Sequence, residues 1–315
     1  MISFIIIGKD ESWRLEKCLS AIRRQAEIEL LQPYEIIYVD SQSTDDSVEL
    51  AKQYTDKVFL LTGECNAAIG RNVGAKEAQG DVLFFLDGDM ELLEGVLSSL
   101  FENGNTLPYP FMSGVENEYL HDNDWNFIEI KARRNFTEGH DWFENVTGGL
   151  FIIEKELWNK IGGMDNRYVV NEDYDFGFRA CGKGYRLFRH GKFWVNHFTR
   201  YYSMRTNLTV YKYSAFLIRK YCINSYAFED LLKENYSAFL LVISLAILLL
   251  FKSLWGLALY LLVLLYRTAK VVHRTPTGLN RMTTFYRRFS KDVLLLYYIC
   301  TFFPKQPEVT YQRVK

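Results

Sequence analysis

Val82-Leu83-Phe84-Phe85-Leu86-Asp87-Gly88-Asp89 decides the fold: five apolar residues, entered through Gly80-Asp81, end on two carboxylates one residue apart. A run this short, bounded by turn formers, reads as a strand buried on both faces. Ligands of open α/β sheets gather beyond the carboxyl ends of strands, so chemistry is expected at Asp87 and Asp89. Two carboxylates this close cannot both be buried and ionised without a counter-ion. A hard divalent cation, Mg2+ or Mn2+, would resolve the conflict. The competing reading is a solvated Asp-Gly-Asp turn that caps a helix over residues 90–100.

Outward from this strand, apolar runs alternate with amphipathic stretches. Strands are expected at 4–7, 34–39, 57–61 and 82–86, and helices at 12–25, 45–54 and 67–78. The alternation predicts βαβ units with right-handed crossovers, hence an α/β fold whose mostly parallel, Rossmann-like sheet is flanked by helices. The pattern degrades over 108–142, which reads as a loop-rich insertion on the acceptor side with Lys131-Ala132-Arg133-Arg134 exposed. Order returns with a strand at 150–153, a helix at 155–161 ended by Gly162-Gly163, and a helix at 172–182.

The 315 residues carry a net charge of −1 and are 49% hydrophobic, enough for more than one compact unit and too neutral for a nucleic-acid partner. Five scattered cysteines without Cys-x-x-Cys spacing fit a reducing compartment. The opening residues Ile2-Ser3-Phe4-Ile5-Ile6-Ile7 read as a strand and not as a signal peptide. Residues 236–251 and 253–266 carry no charge, and the basic residues Arg267, Lys270, Arg274, Arg281, Arg287, Arg288 and Lys291 follow without an acid among them. By the positive-inside rule that basic flank is cytosolic. Each apolar piece, about 15 residues or roughly 22 Å at helical rise, falls short of the ~30 Å hydrocarbon core. Two short crossings and a re-entrant hairpin turning at Lys252 are both open; a buried hairpin in a soluble protein would leave little polar surface to face water. Residues 292–303 are expected at the membrane interface. The expected organisation is a catalytic domain over 1–205, a helical connector over 206–235 and membrane-associated helices over 236–315.

Further groups stack on the acidic tip. Asp40, ending the second strand, can accept from a nucleobase N–H or cap the following helix. Arg71 and Asn72 open a helix after Gly70, where backbone N–H groups and a guanidinium can face an anion. Gly148-Gly149 permits close backbone approach. Glu172-Asp173 stands at a helix N-terminus, where a carboxylate can stay ionised. His197 follows a strand-like run and is either structural or a ligand. The stretches at 5–11, 39–47, 70–74, 85–89, 148–149, 162–165 and 172–175 occur in the order of a family 2 glycosyltransferase with the GT-A fold, which the first 200 residues resemble.

The resemblance implies an inverting, non-processive transferase that takes one sugar from a nucleotide-diphosphate donor, with a UDP-sugar favoured, and Mn2+ or Mg2+ as cofactor. It implies donor binding by Gly8, Asp10, Glu11, Asp40, Arg71, Asn72, Asp87, Gly88, Gly149 and Glu172, with Asp40 reading the base and Asp87 near the ribose. Asp89 and His197 would hold the metal, and Asp173 would be the base that deprotonates an acceptor hydroxyl. The apolar tail points to a lipid-linked or glycan acceptor, in polysaccharide or glycolipid assembly at the cytosolic face of the inner membrane. A polyprenyl-phosphate sugar synthase and a non-catalytic nucleotide-sugar-binding module are the alternatives. Two stretches depart from the family: Asp10 stands where Asn is usual, and Arg200-Tyr201-Tyr202-Ser203-Met204-Arg205 replaces the Gln-x-x-Arg-Trp of processive synthases.

Overall fold

The computed structural model describes residues 1–29, 33–101, 106–133, 137–200, 208–274 and 280–315. The chain forms two compact units, residues 1–203 with 305–315, and residues 204–304. Most of the segment that replaces the processive motif, 201–205, lies outside the described residues.

The first unit is built on β1 (Ile2–Gly8), β2 (Tyr34–Asp40), β3 (Val58–Leu61) and β4 (Val82–Asp87), joined by α1 (Ser12–Glu29), α2 (Ser47–Tyr54) and α3 (Ala67–Glu77). These four strands run parallel in the order β3-β2-β1-β4. Their alternating side chains divide between two cores. Phe4, Ile6, Phe84 and Leu86 pack with Leu15, Leu19 and Ile22 of α1 on one face, while Ile5, Ile7, Leu83 and Phe85 pack with α3 on the other. Burial on both faces explains why these strands read as unbroken apolar runs. Helix α3 approaches β1 through glycine: a Cβ on Gly74 would lie 2.3 Å from Ile5 Cγ2, and one on Gly70 3.0 Å from Ile7 Cγ2.

Beyond β4 the sheet becomes mixed. The remaining strands are β5 (Met90–Leu92), β6 (Phe111–His121), β7 (Phe127–Ala132), β8 (Trp142–Glu144), β9 (Phe151–Glu154), β10 (Leu187–Arg200) and β11 (Tyr311–Arg313). The full order is β11-β3-β2-β1-β4-β9-β6-β10-β5, with β7 on β6 and β8 on β10. Helices α4 (Val96–Leu100), α5 (Lys155–Ile161) and α6 (Glu172–Gly182) complete the unit.

Two expectations are corrected here. Residues 90–100 do not form one helix: Met90 and Leu92 are buried on either side of half-exposed Glu91, the period of a strand, and β5 pairs antiparallel with Val195–His197 before the short α4. Residues 108–142 hold β6 and β7 and lead into β8, and the eleven-residue β6 runs parallel to β10 up to Arg200. Aromatics facing across that pair, such as Trp194 seated where Gly114 has no side chain, obscure the alternation in the sequence. The C-terminal residues add a further element, β11, which pairs antiparallel with β3.

The second unit comprises α7 (Leu208–Tyr221), α8 (Ser225–Phe251), α9 (Trp255–Arg274) and α10 (Arg281–Thr301). Two of its helices, Ser225–Phe251 and Trp255–His273, are long and apolar enough to cross a membrane, and only 28% and 22% of their apolar windows are buried. The first apolar piece keeps its expected shortness, because the α8 backbone leaves the helical conformation at Asn235 (φ −128°), immediately before the uncharged run 236–251; the second is longer than expected, since α9 continues past Arg267 and its 19 residues from Trp255 to His273 span about 28 Å. The chain reverses at Lys252, which ends α8 in the left-handed conformation (φ 51°).

The contact of α3 with β1 gives a first test. Gly74→Val should destabilise the chain by about 1–3 kcal/mol through overpacking against Ile5, read as a lower urea midpoint at unchanged slope. An unshifted midpoint would mean that α3 can move away from the sheet without penalty.

Candidate functional site

Strands β1 and β4 are parallel neighbours, and the chain changes direction between β3 and β4, so a crevice opens beyond their carboxyl ends. A cleft of about 770 Å³ occupies it, of the size that takes a drug-sized or nucleotide ligand. Of the residues singled out from the sequence, Gly8, Glu11, Arg71, Asp87, Asp89, Gly149, Glu172, Asp173 and His197 line it.

The acidic tip splits into two arms. Asp87 Oδ1 receives Arg71 at 2.8 Å, and the other side of the same buried guanidinium donates to Glu172 Oε1 at 2.9 Å. Arg71 thus ties the end of β4 to the start of α6, a link from α3 that explains why it is buried. Glu172 is raised to about 7 by burial and by the adjacent Asp173 charge, with Arg71 opposing. A Cβ at position 149 would lie 2.0 Å from Asp87 Oδ2, so only glycine lets the 148–149 turn pass the acidic tip.

Asp89 faces the other way. Its Oδ2 meets Arg14 at 3.5 Å, and its Oδ1 lies 3.3 Å from His197 Nε2 but is buried with no hydrogen-bond partner among the described residues. His197 Nδ1 sits 2.9 Å from Oε2 of fully buried Glu116, which also takes Arg133 at 2.5 Å. Burial opposes ionisation of Glu116, yet the hydrogen bond from His197 and the charge of Arg133 outweigh it and hold the carboxyl well below its usual range. Burial likewise opposes protonation of His197, and Asp89 and Glu116 outweigh it. Glu11, 2.6 Å from Arg14, is raised to about 8 by burial and the charge of Asp89.

A cation fits this arrangement. The orphaned Asp89 oxygen, the Nε2 of a histidine whose other nitrogen is fixed by a carboxylate, and the surplus of acid over base are what a divalent site offers before it is filled. Among the described residues no three His, Cys, Asp or Glu side chains close a metal site by themselves. Two protein ligands suit Mg2+ or Mn2+ that takes its remaining oxygens from a diphosphate.

The other predicted residues hold the rim together. Asp40 is fully buried and accepts from Tyr38 Oη (3.0 Å), Ser43 N (2.8 Å) and Ser43 Oγ (2.5 Å). Asp10 has φ 54° and accepts from Thr44 N at 2.7 Å, joining the loops after β1 and β2. Asp and Asn both tolerate that backbone and both offer that oxygen, which accounts for an aspartate where the family has asparagine. Asn72 binds Met164 through both main-chain groups (Nδ2 to O 2.7 Å, N to Oδ1 2.8 Å), pinning the 162–165 turn to α3. Gly88 lies beneath the cleft, its N–H given to Ile7 O at 2.8 Å.

Sequence reasoning missed Arg14, Glu116 and Arg133. The i, i+3 spacing of Glu11 and Arg14 at a helix start signalled the first pair. The other two needed β6 to be recognised, since Glu116 then stands out as an acid on a buried strand. Removing it should be felt at the cation: Glu116→Gln is expected to weaken Mn2+ binding about 10–100-fold in a titration followed by electron paramagnetic resonance. Unchanged affinity would mean that His197 takes no part in holding the metal.

Residues 3–152 match the family model Glycosyl transferase family 2. An uncharacterized glycosyltransferase of Haemophilus influenzae is 30% identical over 188 residues, 56% of this chain and 60% of that protein, so the match spans less than two thirds of the relative. Among solved structures, GalNAc-T7 with UDP, GalNAc and Mn2+ superposes with a TM-score of 0.55 at 17% identity, covering 71% of this chain and 48% of that one. Residues 1–349 of TarS from S. aureus superpose with a TM-score of 0.52 at 16% identity, covering 95% and 90%. Residues 3–152 thus carry the pattern of the family 2 glycosyltransferases, and the N-terminal unit has the GT-A fold of the two solved neighbours.

Proposed function

We propose that the chain transfers a single sugar from a nucleotide-diphosphate donor, with UDP favoured, to a hydroxyl of a lipid-linked or glycan acceptor at a membrane, with inversion at the anomeric carbon. One observation carries the reading: Asp89 presents a buried oxygen without a hydrogen bond, beside His197, in a cleft of nucleotide size. Asp89 and His197 would hold Mn2+ or Mg2+. Such an ion, when bound, neutralises charge that develops on the departing nucleoside diphosphate.

This chain's own residues supply the rest. Gly8 and Ser41 line the floor near the base side, and the loop held by Asp40 and Asp10 sets their position. Arg71 holds the Asp87 and Glu172 carboxyl groups in place beside the donor sugar. Asp173 lines the same cleft at the first turn of α6, where the helix dipole favours a carboxylate, and it would take the proton of the acceptor hydroxyl as that oxygen attacks. A single displacement by an activated hydroxyl inverts the anomeric centre.

The membrane part of the reading rests on α8 and α9 and on the basic residues that follow them. Anchored there, with the basic flank cytosolic, the enzyme meets a lipid-linked acceptor in two dimensions, which raises the effective concentration of both. Polysaccharide or glycolipid assembly at the inner membrane is the setting this favours.

Asp173→Asn is expected to lower kcat by about 10²–10⁴-fold while the affinity for UDP with Mn2+, the ligands of the solved neighbour, stays within twofold. Near-normal turnover would remove the hydroxyl base and favour direct transfer to a lipid phosphate. Binding of nucleotide sugar by the native protein without turnover on any acceptor would leave only a binding module.

A further inference from the structure

Within the helical unit an apolar groove of about 390 Å³ runs among α8, α9 and α10, lined by residues that include Leu241, Leu245, Leu257, Leu261, Phe289 and Val293. Tyr260 also lines it, and the Tyr260 hydroxyl donates to Asp292 Oδ2 at 3.2 Å. Ser237 Oγ donates to Oδ1 of the same buried aspartate at 2.9 Å. Around this end of the groove gather three cations from two helices. Arg267 donates to Ser237 and lies 4.1 Å from the Tyr236 ring centre. Lys291 Nζ is 3.4 Å from the Glu234 carbonyl, with the Glu234 carboxylate exposed. Arg288, nearly one turn earlier on α10, has a buried Nε with no hydrogen-bond partner among the described residues. Burial and the charge of Arg267 hold both Arg288 and Lys291 below their ordinary ranges. Three crowded cations around one buried acid that is already hydrogen-bonded are an anion site by their chemistry.

The groove fixes the kind of anion. Its wall is hydrocarbon, and the hairpin that forms it exposes Leu249, Leu250, Phe251, Leu254 and Trp255, a surface suited to bilayer and not to water. The groove is a single slot among three helices, which suits one tail. We infer that the groove and the cluster of Arg267, Arg288 and Lys291 bind a single-tailed lipid phosphate, the tail between the helices and the phosphate on the cations. This rests on the reading of the chain as a transferase with a lipid-linked acceptor, and it names the phosphate of the carrier lipid as the group recognised.

The test uses the full chain in detergent micelles, with hexadecyl phosphate as probe and calorimetry as readout. Hexadecyl phosphate should bind at least about tenfold more tightly than hexadecanol, inorganic phosphate or two-tailed phosphatidic acid, the margin that one charge-assisted contact supplies. The double variant Arg288→Gln/Lys291→Gln, and separately Leu261→Trp, which fills the groove and leaves the cations intact, should each bind about tenfold or more weakly. Equal binding of hexadecanol would reduce the site to a greasy slot. Equal binding of inorganic phosphate or of phosphatidic acid would make it a free-anion or bulk-lipid site, and unchanged binding by either variant would place the lipid elsewhere; each result overturns the inference. Thermal stabilisation by UDP with Mn2+, measured on the same samples, must persist in the variants, which shows them folded. Its absence in the native protein would count against the transferase reading and not against the groove.

Discussion

The cleft is governed by an excess of buried negative charge. Glu11, Asp87, Asp89, Glu116 and Glu172 converge beyond the ends of β1 and β4, and the fold answers with Arg14, Arg71, Arg133 and His197. Breaking such a buried pair by removing one partner typically costs several kcal/mol, because the survivor is left uncompensated. On the Asp87 side one guanidinium serves two carboxylates, and on the Asp89 side one oxygen has no hydrogen-bond partner among the described residues. The two aspartates are therefore held differently, which supports the proposed role of Asp89 as a ligand to the cation.

The same ion pairs decide which elements must come together. Arg71 links α3 to β4 and α6; Glu116 links β6 to β10 through His197 and to Arg133 at the end of β7; Arg14 links α1 to the tip of β4. The parallel half of the sheet supplies Gly8, Asp87 and Asp89 to the cleft, and the mixed half brings the histidine that faces Asp89. The register of β10 matters in particular: His197 lies opposite Met90 on one side and Glu118 on the other, and a slip of one residue would turn its ring to the opposite face.

The parallel half was legible because burial on both faces writes itself as short apolar runs, and because glycines at 70 and 74 and the turn at 162–163 have direct steric causes. The cleft-lining residues on those strands and helix starts were singled out for the same reason. The mixed half was hidden. In β6 and β7 polar and aromatic residues interrupt the alternation, and β7 is exposed along most of its length, so neither face carries a clean hydrophobic signal. Glu116 and Arg133 acquire meaning only through partners 81 and 17 positions away along the chain. Strand β11 has a similar cause: Tyr311 finds Phe59, Lys76 and Glu77 across more than 230 residues, a pairing that no local pattern announces.

That last strand bears on how the helical unit is carried. Residues 305–315 return to the first unit and close the open edge of β3, with Thr62 N–H given to Thr310 O at 2.9 Å and Val58 N–H to Lys315 O at 3.2 Å. An unpaired edge strand invites association with other chains, so the closure protects the sheet. It also means that the four helices are an insertion with both ends stitched to the catalytic unit, not a tail hanging from one. Two covalent connections reduce the conformational freedom of the helical unit more than one would.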